Sequence, residues 1–546
     1  MTAFSRLKRS FSIYGPYLVA VLSIVLPWFL HGGYLFFTDF VWGPNSRIVW
    51  TANGLPALLF MKLAGLVVSP PLAQKIFVAA VLAVILLGGQ RLSAAFVEDR
   101  RLAAVVGLFF LFNPFVYDRL GYGQIFVLAA FGCFCCGAAD IFEYLVGREE
   151  RTRRLLLAAV WLGLTIQFSP HFIFFVAVLV LVWLVALMAI TEKRTKIVFG
   201  TIVLASVIIL ALNANWIFAS SIGTGGISVS QFSPADLEAF RTSGRTPAEA
   251  AVNVLMMSGF WGKDQYRYPD LTAFKENWGR AFLVLLPLMF LGVYSSLRDK
   301  KRRRLSALLL AAGFVSAFLA VGIAAPATKI VTTWLFSHLP FYSGLRETQK
   351  WVAAEVLVYG IFLAWGVERL FQASLLKANR VITAIFLAAV IIMQAPFILM
   401  GLNGSVRPTK YPADWQATDA YILRDGCTGQ TLFLPWHMYM SFNWVGHIIA
   451  NPASGYFSCS TLQGTNMEWG GIYDNSGSPE GTAVSAWLSG HGTTGLFSDG
   501  ALNIKYVILA KEIDWEQYAW LDTLPELRLV MDTATLKTYE VKPKSN

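Results

Sequence analysis

Charge is scarce in this chain. Only 14% of its 546 residues are Asp, Glu, Lys or Arg, against about a quarter in an ordinary soluble protein. A water-facing surface for a soluble protein of this length needs more, so a soluble globular class is excluded. Cysteine is sparse too, at five residues. Common catalytic signatures are missing. There is no Walker loop, no dinucleotide fingerprint after a strand, no HExxH and no GxSxG, so no soluble nucleotide or hydrolase site is signalled. No small-residue cleavage site follows the basic start MTAFSRLKRSFSIYG, which therefore reads as an uncleaved anchor.

Apolar length takes the place of charge. Hydrophobic residues make up 56% of the chain, and its mean hydropathy is +0.56. The pattern predicts a polytopic α-helical membrane protein. Runs at 14–31, 73–90, 102–117, 124–145, 155–169, 171–190, 197–217, 281–297, 305–323, 351–371 and 381–401 give about eleven spans by the rule of about 20 apolar residues per crossing. The net charge of +11 follows from the loops. RLKR (6–9), QRLSAAFVEDRR (90–101), REERTRR (148–154), EKRTK (192–196), RDKKRRR (298–304) and KANR (377–380) alternate with poorly charged turns. All six fall on one side, which the positive-inside rule makes the cytoplasm. The N-terminus is then cytoplasmic. The opposite face receives Asp39, Asp118, His171, Asp264, Arg346, Glu347 and everything after about residue 402. Nucleic-acid binding is not implied by this charge.

Two outer segments, 53–68 and 328–341, are interrupted by polar residues and read as helices at or dipping into the outer leaflet. After residue 401 the texture changes. Residues 413–423 have helical spacing, while 431–436, 504–510, 527–533 and 536–542 read as buried strands. Residues 515–524 read as a helix between two of them. The chain thus divides into a transmembrane domain, 1–401, and an extracytoplasmic α/β domain, 402–546. Cys133, Cys135 and Cys136 lie in an apolar run and read as core packing. Cys427 and Cys459 are an even pair in an oxidising compartment and read as a disulfide.

Polar residues on the outer face are the candidates for chemistry. Asp39 lies in HGGYLFFTDFVWGP, among Phe36, Phe37, Phe40 and Trp42. It either pairs locally at the interface or acts as a general base, since apolar surroundings destabilise its ionised form. Aromatic rings there suit a lipid–water boundary, a sugar ring or a lipid chain. In LPFYSGLRETQKWVA, Arg346 and Lys350 are four apart, on one helical face before a span, with Glu347 beside them. They read as an interface anchor or as a phosphate clamp. In FNPFVYDRLGYGQ, Asp118 and Arg119 read as a solvated pair in a tight turn. Alternatively Tyr117, Tyr122 and Gln124 line a polar cavity. His171 sits at a Pro-broken junction and faces protein or a wet cavity. GFWGKDQYRYPD, with Asp264, has the composition of a carbohydrate-facing loop.

This layout, with one acidic residue in the first outer loop, resembles the GT-C superfamily of integral-membrane glycosyltransferases. NPFVYDRLGYGQ, LPFYSGLRETQKW and the terminal IKYVILAKEIDW with LRLVMDTATLKTYEV are similar to segments of arabinofuranosyltransferase-like and YfhO-like membrane proteins. The resemblance implies transfer of a sugar from a polyprenyl-phosphate donor to a glycan or glycolipid acceptor at the outer face, with inversion. It makes Asp39 the expected base and Arg346 and Lys350 candidates for the donor phosphate. Several GT-C families carry paired acidic residues in that loop. Here Thr38 and Phe40 flank Asp39, so a divalent metal is not supported, and no cofactor is expected. A flippase or transporter for a lipid-linked saccharide, or a glycan polymerase or ligase, would share these features.

Overall fold

The computed structural model describes residues 3–146, 151–188, 195–221, 232–262, 275–372, 379–469, 472–474, 478–493, 495–497 and 502–542. Two compact units emerge. The first comprises Met1–Pro27, Val49–Phe60 and Ile76–Ser405, and the second Trp28–Ile48, Met61–Lys75 and Val406–Asn546. The second unit therefore recruits the loop carrying Asp39 as well as the chain after residue 405.

Helices dominate the sequence up to residue 405. In chain order they are α1 (Ala3–Phe29), α2 (Leu55–Ala64), α3 (Pro70–Ala94), α4 (Arg100–Gly107), α5 (Pro114–Tyr122), α6 (Ile125–Val146), α7 (Arg151–Phe168), α8 (Ile173–Met188), α9 (Thr195–Ser221), α10 (Pro234–Ala239), α11 (Pro247–Leu255), α12 (Lys275–Arg298), α13 (Arg303–Val321), α14 (Pro326–His338), α15 (Val352–Gln372) and α16 (Arg380–Ile392). Among the described residues, 7 are long and apolar enough to cross a membrane, or 9 if each of two bent pairs is one span. The chain is a multi-pass membrane protein. The predicted span 102–117 is not straight. α4 and α5 meet at 49°, because Asn113 and Pro114 start a new helix there. The Asn113 side chain accepts from the Val116 N–H, Pro114 takes the first turn, and Gly123 closes the helix at φ 89°. The predicted span 381–401 bends by 75° between Ile392 and Pro396, and beyond the bend Met400, Leu402 and Asn403 adopt positive φ. The predicted spans 14–31 and 155–169 are not among those 7 helices. The apolar part of α1 is Tyr14–Phe29, and α7 opens on Arg151, Arg153 and Arg154.

Small residues let the long helices touch. A Cβ on Gly292 of α12 would lie 1.9 Å from the Phe362 carbonyl oxygen, and one on Gly366 of α15 would lie 1.8 Å from that of Leu288. Backbone contact of this kind substitutes for a hydrophobic drive that lipid cannot supply. Cys133, Cys135 and Cys136 are buried in α6.

The second unit is built on a five-stranded sheet. Its strands come from β1 (Gln430–Leu434), β4 (Thr461–Leu462), β7 (Ile504–Ala510), β8 (Leu527–Asp532) and β9 (Leu536–Val541), in the order β4-β1-β7-β9-β8. β1 runs parallel to both β4 and β7, and β9 is antiparallel to β7 and β8. Two small hairpins, β2 (Tyr439–Ser441) with β3 (Ile448–Ala450) and β5 (Met467–Trp469) with β6 (Ile472–Asp474), stand apart. Helices α17 (Ala413–Leu423), α18 (Ala453–Tyr456) and α19 (Pro479–Ser489) complete the unit. Residues 515–523 form a 3₁₀ helix. Cys427 and Cys459 are bridged across a Cα separation of 5.1 Å.

Candidate active site

The first unit buries a polar network around Glu347. Arg119 on α5 is 1% exposed and donates to Glu347 Oε2 at 2.7 Å. The Trp261 indole N–H and the Gln124 amide donate to the same oxygen at 3.0 and 3.2 Å. Lys350 Nζ pairs with Oε1 at 3.0 Å and is 5% exposed. Arg119 also donates to Gln124 Oε1, and its guanidinium lies 4.5 Å over the Phe260 ring. Burial alone would raise the Glu347 carboxyl, but Lys350 and Arg119 hold it well below the usual carboxylate range.

This geometry corrects two expectations. Asp118 and Arg119 are not a solvated pair: both are buried on a capped helix. Arg346 and Lys350 do not share a helical face either. Two 3₁₀ turns, Tyr342–Leu345 and Thr348–Trp351, replace the expected α-helix, and Glu347 between them has φ −81° and ψ 78°. Each cation has its own acid. Arg346 Nη1 pairs with Asp236 Oδ1 of α10 at 3.1 Å and lies over the rings of Phe232 and Phe240.

His171 occupies the 3₁₀ turn Pro170–Phe172, its Nδ1 3.2 Å from Ser169 Oγ. That turn packs on Tyr342–Leu345, with Phe174 edge-on to Tyr342. Tyr117 and Tyr122 are buried on α5, and Tyr122 packs edge-on to Trp261. Asp264 lies outside the described residues. Structure therefore brings Gln124, Glu347 and Lys350 together. It adds Arg119 as their hub, Trp261 as a donor and Asp236 as the partner of Arg346. The aromatic loop at 259–270 pointed to Trp261 by composition alone; nothing local marks Asp236.

Asp39 belongs to the second unit. Its aromatic neighbours pack against protein. Phe36, Phe37, Phe40 and Trp42 are all buried, and Phe36 packs edge-on to Tyr411 and Trp444. The loop is laced to the β2–β3 hairpin. The Thr38 hydroxyl donates to the Ile448 carbonyl at 3.1 Å, the Ala450 N–H donates to the Thr38 carbonyl at 2.8 Å, and His447 Nε2 lies 3.0 Å from the Phe36 carbonyl. The Asp39 side chain is half-buried, and its Oδ1 accepts from the Tyr439 hydroxyl at 2.7 Å. A phenol at that distance fixes the orientation of the carboxylate. Tyr439 carried no sequence signal, being one of several aromatic residues in HMYMSFNW. Among the described residues, no group of three or more His, Cys, Asp or Glu could hold a metal ion.

No protein-family model matches the chain. No curated protein sequence matches it significantly. Solved structures do. The cryo-EM structure of arabinofuranosyltransferase AftD from Mycobacteria superposes with a TM-score of 0.64 at 15% identity, over 97% of this chain and 40% of that one. The chain shares the fold of that part of the structure. A mutant of the same enzyme matches with a TM-score of 0.58 at 14% identity, over 97% of this chain and 42% of that one. The chain thus spans about 40% of the length of AftD.

Proposed function

We propose that the protein is a membrane glycosyltransferase. It takes a sugar from a polyprenyl-phosphate-linked donor and passes it to a glycan or lipid-linked acceptor at the extracytoplasmic face. The observation that carries this reading is a GT-C fold whose first loop after α1 holds a carboxylate, Asp39, oriented by Tyr439.

In the proposed step, Asp39 accepts the proton of the acceptor hydroxyl. The hydroxyl oxygen attacks the anomeric carbon as the bond from that carbon to the phosphate oxygen breaks. Polyprenyl phosphate leaves with the bonding electrons, and the anomeric centre inverts. Asp39 then returns its proton to water. Arg346 and Lys350 are the proposed contacts for the donor phosphate. Asp236 and Glu347 hold them in place, and both cations have more N–H donors than one carboxylate takes.

The test uses purified full-length protein and a panel of polyprenyl-phosphate-linked pentoses and hexoses. Asp39→Asn keeps the shape and the hydrogen bond to Tyr439 but lowers basicity. Transfer is expected to fall by at least about a hundredfold with donor binding unchanged. Arg346→Ala is expected to weaken donor binding, because a phosphate contact present before reaction is lost. Near-normal turnover by folded Asp39→Asn removes Asp39 from the mechanism.

A further inference from the structure

The sheet of the second unit has a strand-order reversal, where open α/β sheets form a crevice, that the transfer step does not use. Its parallel part is ordered β4-β1-β7. The chain lays down β1 first, then β4 on one side of it, then β7 on the other. Strand order therefore reverses between β1 and β7. In open α/β sheets, ligands bind outside the carboxyl ends of the strands at such a reversal. The loops that leave those two ends here are 435–438 and 511–514.

Those loops carry a linked polar pair. His437 Nε2 lies 3.3 Å from both Asp514 Oδ1 and Oδ2, and both side chains are only partly buried. The loops are firmly held. Asn451 donates to the His437 carbonyl at 3.2 Å, Asn466 donates to the Trp436 carbonyl at 3.3 Å, and the Trp436 N–H donates to the Tyr518 hydroxyl at 3.1 Å. Glu512 is buried and accepts from the Asn443 N–H at 3.1 Å. Between Glu512 and Asp514, Ile513 adopts φ +53°. A β-branched residue in that region is strained, and such strain concentrates where a loop must hold one shape for a ligand. Trp515 and Tyr518, partly buried against the core, follow in the 3₁₀ helix.

We propose that this crevice is a carbohydrate subsite that holds a neutral, hydroxyl-rich acceptor. The subsite deepens the transferase reading and rests on it. A carboxylate paired with an imidazole offers hydrogen-bond acceptors to sugar hydroxyls. Glu512 and Asp514 disfavour phosphate, so the subsite suits the acceptor and not the lipid-phosphate donor. The neighbouring Lys511 is committed to Asp532 at 2.6 Å. The place on the chain fits as well. His437 is two residues before Tyr439, whose hydroxyl orients Asp39, so a sugar held there lies near the proposed base.

Saturation-transfer difference NMR on the full-length protein in detergent micelles tests the subsite. The probes are neutral tetrasaccharides of arabinose, galactose and mannose. At least one is expected to receive saturation from the native protein and from Asp39→Asn. In Asp514→Asn and His437→Ala its affinity is expected to fall by at least about tenfold. Unfolding midpoints within a few degrees of native show that both variants fold. Absence of binding to the native protein by all three probes overturns the subsite, as does unchanged affinity in both folded variants. Binding that depends on the pair, in a protein without transferase activity, keeps the subsite and sinks the enzyme reading. Active transfer with no loss on substitution sinks the subsite alone.

Discussion

At the scale of single residues, the most consequential contact is the one between Arg119 and Glu347, 228 positions apart. Their charges are withdrawn from water, so their value lies in not being separated. Breaking a buried pair by removing one partner typically costs about 3–5 kcal/mol, because the remaining charge is stranded. Glu347→Gln would strand two, Arg119 and Lys350. It is expected to lower stability by at least that amount, about 3 kcal/mol, read as a fall in the thermal midpoint of detergent-solubilised protein. The triple variant Arg119→Met, Glu347→Leu, Lys350→Met, which leaves neither buried cation stranded, is expected to recover a large part of the loss. A Glu347→Gln protein as stable as native would show that the network bears no structural weight. This contact also marks the limit of the sequence. NPFVYDRLGYGQ shows an acid and a base beside a turn, which is how solvated pairs look. Only the arrival of a distant Glu347 makes burial of Arg119 affordable.

At the scale of elements, legibility follows the length of the apolar pattern. β7 was readable because a strand in the middle of a sheet is covered on both faces and becomes a continuous apolar run. α17 was readable from its helical spacing. β4 is only 2 residues long and β2 only 3, too short for any period to show, so the hairpin that anchors the Asp39 loop was invisible. The 515–524 segment was legible as helical but not as 3₁₀. One junction between elements has a pH signature. Asp414, at the start of α17, accepts from the Thr535 N–H at 2.8 Å and from the hydroxyls of Thr535 and Thr533 at 2.7 and 3.0 Å. Burial would raise its carboxyl, but these donors to the ionised form outweigh that and lower it. A carboxyl lowered by folding contributes stability that is present above its unfolded value and lost as pH falls through its folded value. The junction is therefore expected to weaken below about pH 4. Thermal midpoints measured from pH 7 down to pH 3 should drop more steeply for native protein than for Asp414→Asn. Parallel curves would remove Asp414 from the acid response.

At the scale of the whole molecule, the open matter is which way the chain lies in the bilayer. The fold itself does not orient the alternation of basic loops. Orientation rests on physical grounds alone: Lys and Arg in short loops stay on the cytoplasmic side, and the Cys427–Cys459 bridge suits an oxidising compartment. These two arguments are independent and point the same way. A bilayer crossing count that differed from the sequence layout by one would reverse the C-terminal side, and the bent pairs α4–α5 and α16 with its successor are where such a difference would arise. Native thiols leave a clear background for labelling, since Cys133, Cys135 and Cys136 are buried and the other two are bridged. A Ser545→Cys variant in intact cells is expected to react with a membrane-impermeant maleimide added outside. Lys300→Cys, in the basic loop after α12, is expected to react only after permeabilisation. The reverse pattern would invert the molecule and place the Asp39 carboxylate and the proposed subsite on the cytoplasmic side. Reaction of both from outside would mean that an odd number of the assigned crossings between α12 and the C-terminus is wrong, and the bent pair beginning with α16 would be the first to reassign.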